Sequence, residues 1–186
     1  MELYINYFMR NDCSHRCYEW WQMRARDFKQ SWDRGQKLEE EFYELVKLRD
    51  KNARKATPKE QYKHIDFFTN FGTIDVKSKK RIGRADVDEQ ETIVWLEYKN
   101  VQGRDGWLVS CVDILAFERD DDFILVKRKD LLAMANRKCD LTDMVTKSSD
   151  ALYKGYTRKG REDLITQVKM KDLIKLNNRV WRKDGV

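Results

Sequence analysis

Apolar and polar positions follow a helical period first and a strand period afterwards. From Gln36 to Lys51, Leu38, Phe42, Leu45 and Val46 recur at steps of three and four, which predicts an amphipathic helix with one buried face. Ahead of it, residues 1–34 interleave Tyr18, Trp20, Trp21, Phe28 and Trp32 with basic residues. They read mainly as another helix, after a short strand at residues 3–8 and before a break at Arg34-Gly35. Thr57-Pro58-Lys59-Glu60 places a proline at the first position of a helical turn.

Alternation then takes over. Residues 63–69, 73–80 and 92–100 are predicted as three antiparallel strands. The first two form a hairpin turned by Asn70 and Gly72, and the charged loop 81–90 separates the second from the third. On the third, Trp95, Glu97 and Lys99 share one face, and Val94, Leu96 and Tyr98 the other. A glycine-rich connection ends at Trp107, and the apolar run 108–117 must be buried, as strand or helix. A turn at Asp120–Asp122, a strand from Phe123 and a helix capped by Asp130 follow. Val126-Lys-Arg-Lys-Asp-Leu-Leu132 is echoed at Val168-Lys-Met-Lys-Asp-Leu-Ile174, each a strand running into a helical turn. One proline and no low-complexity segment favour a single domain over 1–186, with a core at 35–132 between an N-terminal extension (1–34) and a C-terminal one (133–186).

The hairpin carries the most pointed chemistry. Asp66 lies on its first arm, and Asp75 and Lys77 lie on its second, two apart and therefore on one face. Asp75 sits between Ile74 and Val76, and a carboxylate in apolar company is costly unless it is paired or holds a metal. Two aspartates and a lysine in this arrangement can bind a divalent cation and activate a water beside a phosphate. The plain alternative is a set of solvated charges pairing across the hairpin.

The pattern Asp66…Asp75-Val76-Lys77 resembles the PD-(D/E)XK nuclease superfamily, and Ser78-Lys79 resembles the small-then-basic continuation of its Holliday-junction resolvases. Ile65 stands where the family often has proline. The resemblance implies an α/β fold with the restriction-endonuclease-like α-β-β-β-α-β core, a mixed sheet flanked by helices. It implies an Mg²⁺- or Mn²⁺-dependent endonuclease hydrolysing DNA, similar to small phage and bacterial enzymes of that class. Asp66 and Asp75 would hold the ion, with the Val76 carbonyl as a further ligand and Glu39 as the acidic residue from the preceding helix, ahead of Glu40 and Glu41. Lys77 would position or deprotonate the water. A second register, Asp75 with Glu97-Tyr98-Lys99, is also open, and Glu97 would join the site if its strand lay beside Asp75. A homodimer would let two sites address two strands.

Charge fits that expectation. Lys and Arg number 38 against 32 Asp and Glu, for a net charge of +6, which favours a polyanionic partner. Lys79, Lys80, Arg81 and Arg84 leave the hairpin as a basic run, and Tyr156, Arg158 and Arg161 mix an aromatic with cations near two glycines; both segments, with Lys99, suit DNA contact. No run of apolar residues is long enough to span a bilayer, and the start of the chain lacks a signal-peptide pattern, so the expected location is cytoplasmic, without membrane contact. Cys13, His15 and Cys17 would need a remote fourth ligand to close a zinc site, so the four cysteines are read as reduced thiols.

Overall fold

The computed structural model describes residues 33–82 and 88–184. The chain divides into two compact units, Met1–Leu38 and Glu39–Val186. The proposed N-terminal strand and helix, the Cys13–Cys17 cluster and Arg84 lie outside the described residues.

The predicted amphipathic helix forms as α1 over residues 33–49. Phe42, Leu45 and Val46 are buried along it, as their spacing requires. The short helix α2 (Pro58–Gln61) starts as expected, with Thr57 as N-cap, Pro58 first, and the Glu60 carboxylate accepting the Thr57 N–H at 2.8 Å.

Two sheets carry the rest, so the α/β class holds. The larger runs in the order β1 (Arg54–Lys55), β2 (Phe67–Thr69), β3 (Gly72–Lys77), β5 (Ile114–Glu118), β6 (Asp122–Lys127), β10 (Asn178–Arg182). The smaller runs β4 (Ile93–Lys99), β9 (Leu164–Lys169), β8 (Lys154–Tyr156), β7 (Asp140–Val145). Both are mixed: β3 pairs β5 in parallel, β7 pairs β8 in parallel, and the other ladders are antiparallel.

The hairpin β2–β3 forms around Asn70 and Phe71, with Thr69 opposite Gly72. Gly72 has φ +129°, a conformation that favours glycine. Its first arm is shorter than expected: His64 is in a turn at φ +60°, so it does not share a strand face with Asp66. The larger correction concerns the third strand. β4 forms where alternation places it, but pairs with β9 in the other sheet, and β5 takes the place beside β3. Three consecutive antiparallel strands therefore do not form. The apolar run 108–117 divides between a single 3₁₀ turn, Trp107–Val109, and β5. The echoed segments become β6 into α3 (Arg128–Lys138) and β9 into α4 (Met170–Ile174). Lys127, not Asp130, occupies the N-cap of α3, and Asp130 falls within its first turn, where its charge still favours the helix end.

The two faces of the larger sheet are buried differently. Phe42 stacks on Trp181 at 5.4 Å and meets Phe123 edge-on at 4.8 Å, so α1 covers one face with aromatic contacts. On the other face Leu115, Phe117, Ile124 and Val126 pack with Val94, Leu96 and Val168 of the smaller sheet and Leu131 and Met134 of α3. This is why β4 needs an apolar face opposite Glu97, and why its alternation is read correctly even though its partner is not.

Candidate functional site

Local strand geometry brings the hairpin charges together. Phe67 lies opposite Ile74, and the Asp66 N–H donates to the Ile74 carbonyl at 2.8 Å. Asp66 is therefore level with Asp75 across the ladder. One Asp66 oxygen, Oδ2, accepts the Val76 N–H at 2.7 Å, which fixes its side chain against the second arm. Lys77, two residues beyond Asp75 on the same face, places Nζ 2.6 Å from Asp75 Oδ1 and 5.1 Å over the Trp107 ring.

Asp75 is 3 % exposed, and its second oxygen, Oδ2, is buried with no hydrogen-bond donor facing it. Burial pushes its carboxyl up to about 8; Lys77 pulls the other way, and the neighbouring Asp66 adds to the rise. A stranded, buried carboxylate oxygen is uncommon because it costs about 1–3 kcal/mol. Beside Asp66, that oxygen could take a proton shared between the two carboxyls, or a divalent cation held by both. The all-oxygen donors also fit Mg²⁺ or Mn²⁺ better than zinc. Among the described residues, no three Asp, Glu, His or Cys side chains close up around one point as an ion would require. The Lys77 ammonium holds the near side of Asp75 instead.

Other groups face the same lysine. Glu39 of α1 is half-buried, and burial followed by the Asp66 charge raises its carboxyl to about 7, against Lys55 and Lys77. Its competitors are engaged elsewhere: Glu40 pairs with Lys55, and Glu41 lies 3.8 Å from Lys183. Glu97 reaches the cluster from the smaller sheet. Burial raises its carboxyl, while Lys77, the Trp107 N–H and Arg158 hold it down. The condition set for Glu97 fails, since Leu115 is the strand neighbour of Asp75 and Ile165 that of Glu97. The connection 100–107 delivers it by another route. His64 completes the group: burial and Lys77 lower its pKa, opposed by the Asp105 backbone and by Asp66.

The glycine-rich connection ending at Trp107 packs against Glu97 and Lys77. Asp105 bridges back to Lys99, and the Gly106 N–H donates to the Tyr98 carbonyl at 2.9 Å. A Cβ on Gly106 would lie 2.5 Å from the Glu97 carbonyl oxygen and 2.7 Å from its Cγ, so only glycine allows the approach. Gly106→Ala is expected to cost about 1–3 kcal/mol in urea unfolding through this overlap and to displace Glu97 and the Trp107 support under Lys77. A variant of parental stability would show that the turn tolerates the shift.

The expected DNA-contact residues separate into groups. Lys79 pairs with Asp120, and its N–H donates to Glu118 at 3.0 Å. Lys80 bridges Gln90, and the Arg81 carbonyl accepts the Trp95 indole N–H at 3.3 Å. Arg158 pairs through Nε with the buried Asp163. Lys99 and Arg161 are exposed, and the Tyr156 ring lies against Trp95. Asp66, Asp75, Val76 and Lys77 thus meet on the hairpin, Glu39 and Glu97 each feel the Lys77 charge from another element, and the cations are distributed along the smaller sheet and the end of the hairpin. Cys111 and Cys139 are free thiols. No helix among the described residues is long and apolar enough to cross a membrane.

Comparison with known proteins finds no matching family model, no matching curated protein and no matching solved structure.

Proposed function

We propose that this chain is a metal-dependent endonuclease that hydrolyses DNA phosphodiester bonds. The observation that carries the reading is the buried Asp75 carboxylate, with one oxygen on Lys77 and the other unpartnered, level with Asp66. Asp66 and Asp75 would hold Mg²⁺ or Mn²⁺, with the Val76 carbonyl and Glu39 as further oxygen donors. The ion, when bound, supplies Lewis acidity that lowers the pKa of a water and offsets charge on the scissile phosphate.

The protein's own groups do the rest. Lys77, seated on Trp107, is a fixed positive charge two residues from the ligand Asp75, placed to hold the attacking water or the phosphate oxygens. Glu97, whose carboxyl is raised by burial and which feels the Lys77 charge, is the group placed to accept a proton. Of a restriction-endonuclease-like core, α1 packed on the sheet that carries the hairpin and a strand running parallel at the side of β3 support the reading, whereas β4, expected as the third antiparallel strand, pairs in the other sheet. The net charge of +6 suits the polyanionic substrate.

The test is a cleavage assay on supercoiled plasmid and a four-way junction in Mg²⁺, Mn²⁺ or EDTA. Cutting should require the metal and fall at least about 100-fold in Asp66→Ala. Cutting that survives EDTA, or no cutting of either substrate, would reject the enzyme. Salt-dependent DNA binding without cutting would leave a binding module on the same scaffold.

A further inference from the structure

Trp95 and Tyr156 come from strands that are not neighbours. β4 and β8 are separated by β9, yet the two rings meet at a centroid distance of 6.0 Å, inclined at 40°. Beneath them the β9 residues Ile165 and Gln167 are buried. Trp95 and Tyr156 themselves stay half-exposed. The only polar atom of the indole is already spent, because Nε1 donates to the Arg81 carbonyl at 3.3 Å. That bond fixes the ring, so what remains for a ligand is aromatic surface.

This face leads directly to the candidate site. Glu97 follows Trp95 by two residues on the same strand, without a bulge between them, and so leaves the same face. Arg158 follows Tyr156 by two and acts on the Glu97 carboxyl. Its Nε is held by Asp163, and its side chain is still 33 % exposed, which leaves part of the guanidinium for a phosphate. The turn at 158–162 lies against the one at 100–103, with the Glu162 N–H 3.5 Å from the Val101 carbonyl, so exposed Arg161 and Lys99 arrive at the same end. An aromatic pair flanked by cations and ending at a carboxylate–lysine cluster is a path for a strand with its bases turned out. A duplex offers the surface only phosphates and base edges. Unpaired bases offer faces, and faces are what the two rings can stack.

We propose that Trp95 and Tyr156 form a stacking platform for unpaired bases of single-stranded DNA, leading the strand toward Asp66, Asp75 and Lys77. As a choice of substrate class it rests on the nuclease reading; as a binding surface it is tested without cleavage.

The test is fluorescence polarisation in EDTA with a labelled oligo(dT) and a duplex of equal length, using the parent, Trp95→Ala, Tyr156→Ala and Trp95→Phe. Each alanine variant should bind oligo(dT) roughly ten-fold more weakly. The dependence on salt should keep its slope, because no phosphate contact is removed. Trp95→Phe should retain most of the affinity, and duplex binding should stay within about two-fold. Parental oligo(dT) affinity in both alanine variants, equal losses for single strand and duplex, or no oligo(dT) binding by the folded parent would each overturn the platform. Binding that follows this pattern in a protein that never cuts would keep the platform and remove the nuclease. Metal-dependent cutting of single-stranded DNA at parental rate by Trp95→Ala at sub-saturating protein would remove the platform alone.

Discussion

At pH 8, Asp75→Asn is expected to unfold at a higher urea concentration than the parent and to have lost metal-dependent cleavage. The two effects have one cause. Asp75 is buried, its Oδ2 has no partner, and its carboxyl is raised from the ordinary 3.8 to about 8. Between those values the folded chain binds a proton more tightly than the unfolded chain does. Stability therefore falls as pH rises through this window, and the favourable contribution is lost above about 8. Asparagine keeps the shape and cannot ionise, so its advantage should be small near pH 4 and grow to about 1–3 kcal/mol at pH 8 and above. Mg²⁺ should shift the picture, raising the unfolding midpoint of the parent and leaving that of Asp75→Asn unmoved. Urea titrations at pH 4, 6 and 8, with and without Mg²⁺, read all of this without an activity assay. A variant less stable than the parent at pH 8 would mean that Asp75 is a structural ion-pair partner of Lys77, and the metal reading would lose its main support.

A residue that weakens the fold is hard to explain as architecture, and it was visible in the sequence because hairpin geometry is local. Asp75 and Lys77 are two apart on one arm, and Asp66 is set level with Asp75 by a short turn, so alternation alone brings them together. Glu39 was legible for a similar reason, since helical spacing places it beside the Phe42 and Val46 face. Glu97 was legible only by half. Alternation gave the face of β4 correctly, with Val94 and Leu96 inward, but a strand's face does not reveal its partner. That partner, β9, lies some seventy residues later in the chain, and only the close approach at Gly106 shows how Glu97 returns toward Lys77. Asp130 was misplaced as a cap because a polar residue one turn inside a helix start has the same local pattern as one at it. Arg158 reads from sequence as a surface cation, and nothing local announces that Asp163 will be buried beside it.

Lys77 is the sharper probe of the site, since its charge acts on every group there. Asp75, Glu39 and Glu97 are each held down by it, and His64 is lowered by it. Lys77→Met preserves the stem over Trp107 and removes only the ammonium. Cleavage measured in a single turnover should fall by about 100- to 1,000-fold. Without the ammonium the Asp75 carboxyl rises further, so it keeps its proton at pH 8, and the fall of stability with pH should extend above 8 instead of levelling there. The double variant Asp75→Asn with Lys77→Met should lose that pH dependence and recover none of the activity. Such strong coupling is expected of a pair whose two members face each other at 2.6 Å. Lys99 supplies the contrast. It is exposed, it lies in the other sheet, and a bulge separates it from Glu97, so with the protein in saturating excess Lys99→Ala should keep the single-turnover cleavage rate within about three-fold of the parent, whatever it costs in strand binding. If Lys99→Ala abolishes cleavage and Lys77→Met does not, the working lysine belongs to the Glu97 strand, and the Asp75–Lys77 pair is a buried ion pair with no part in the chemistry.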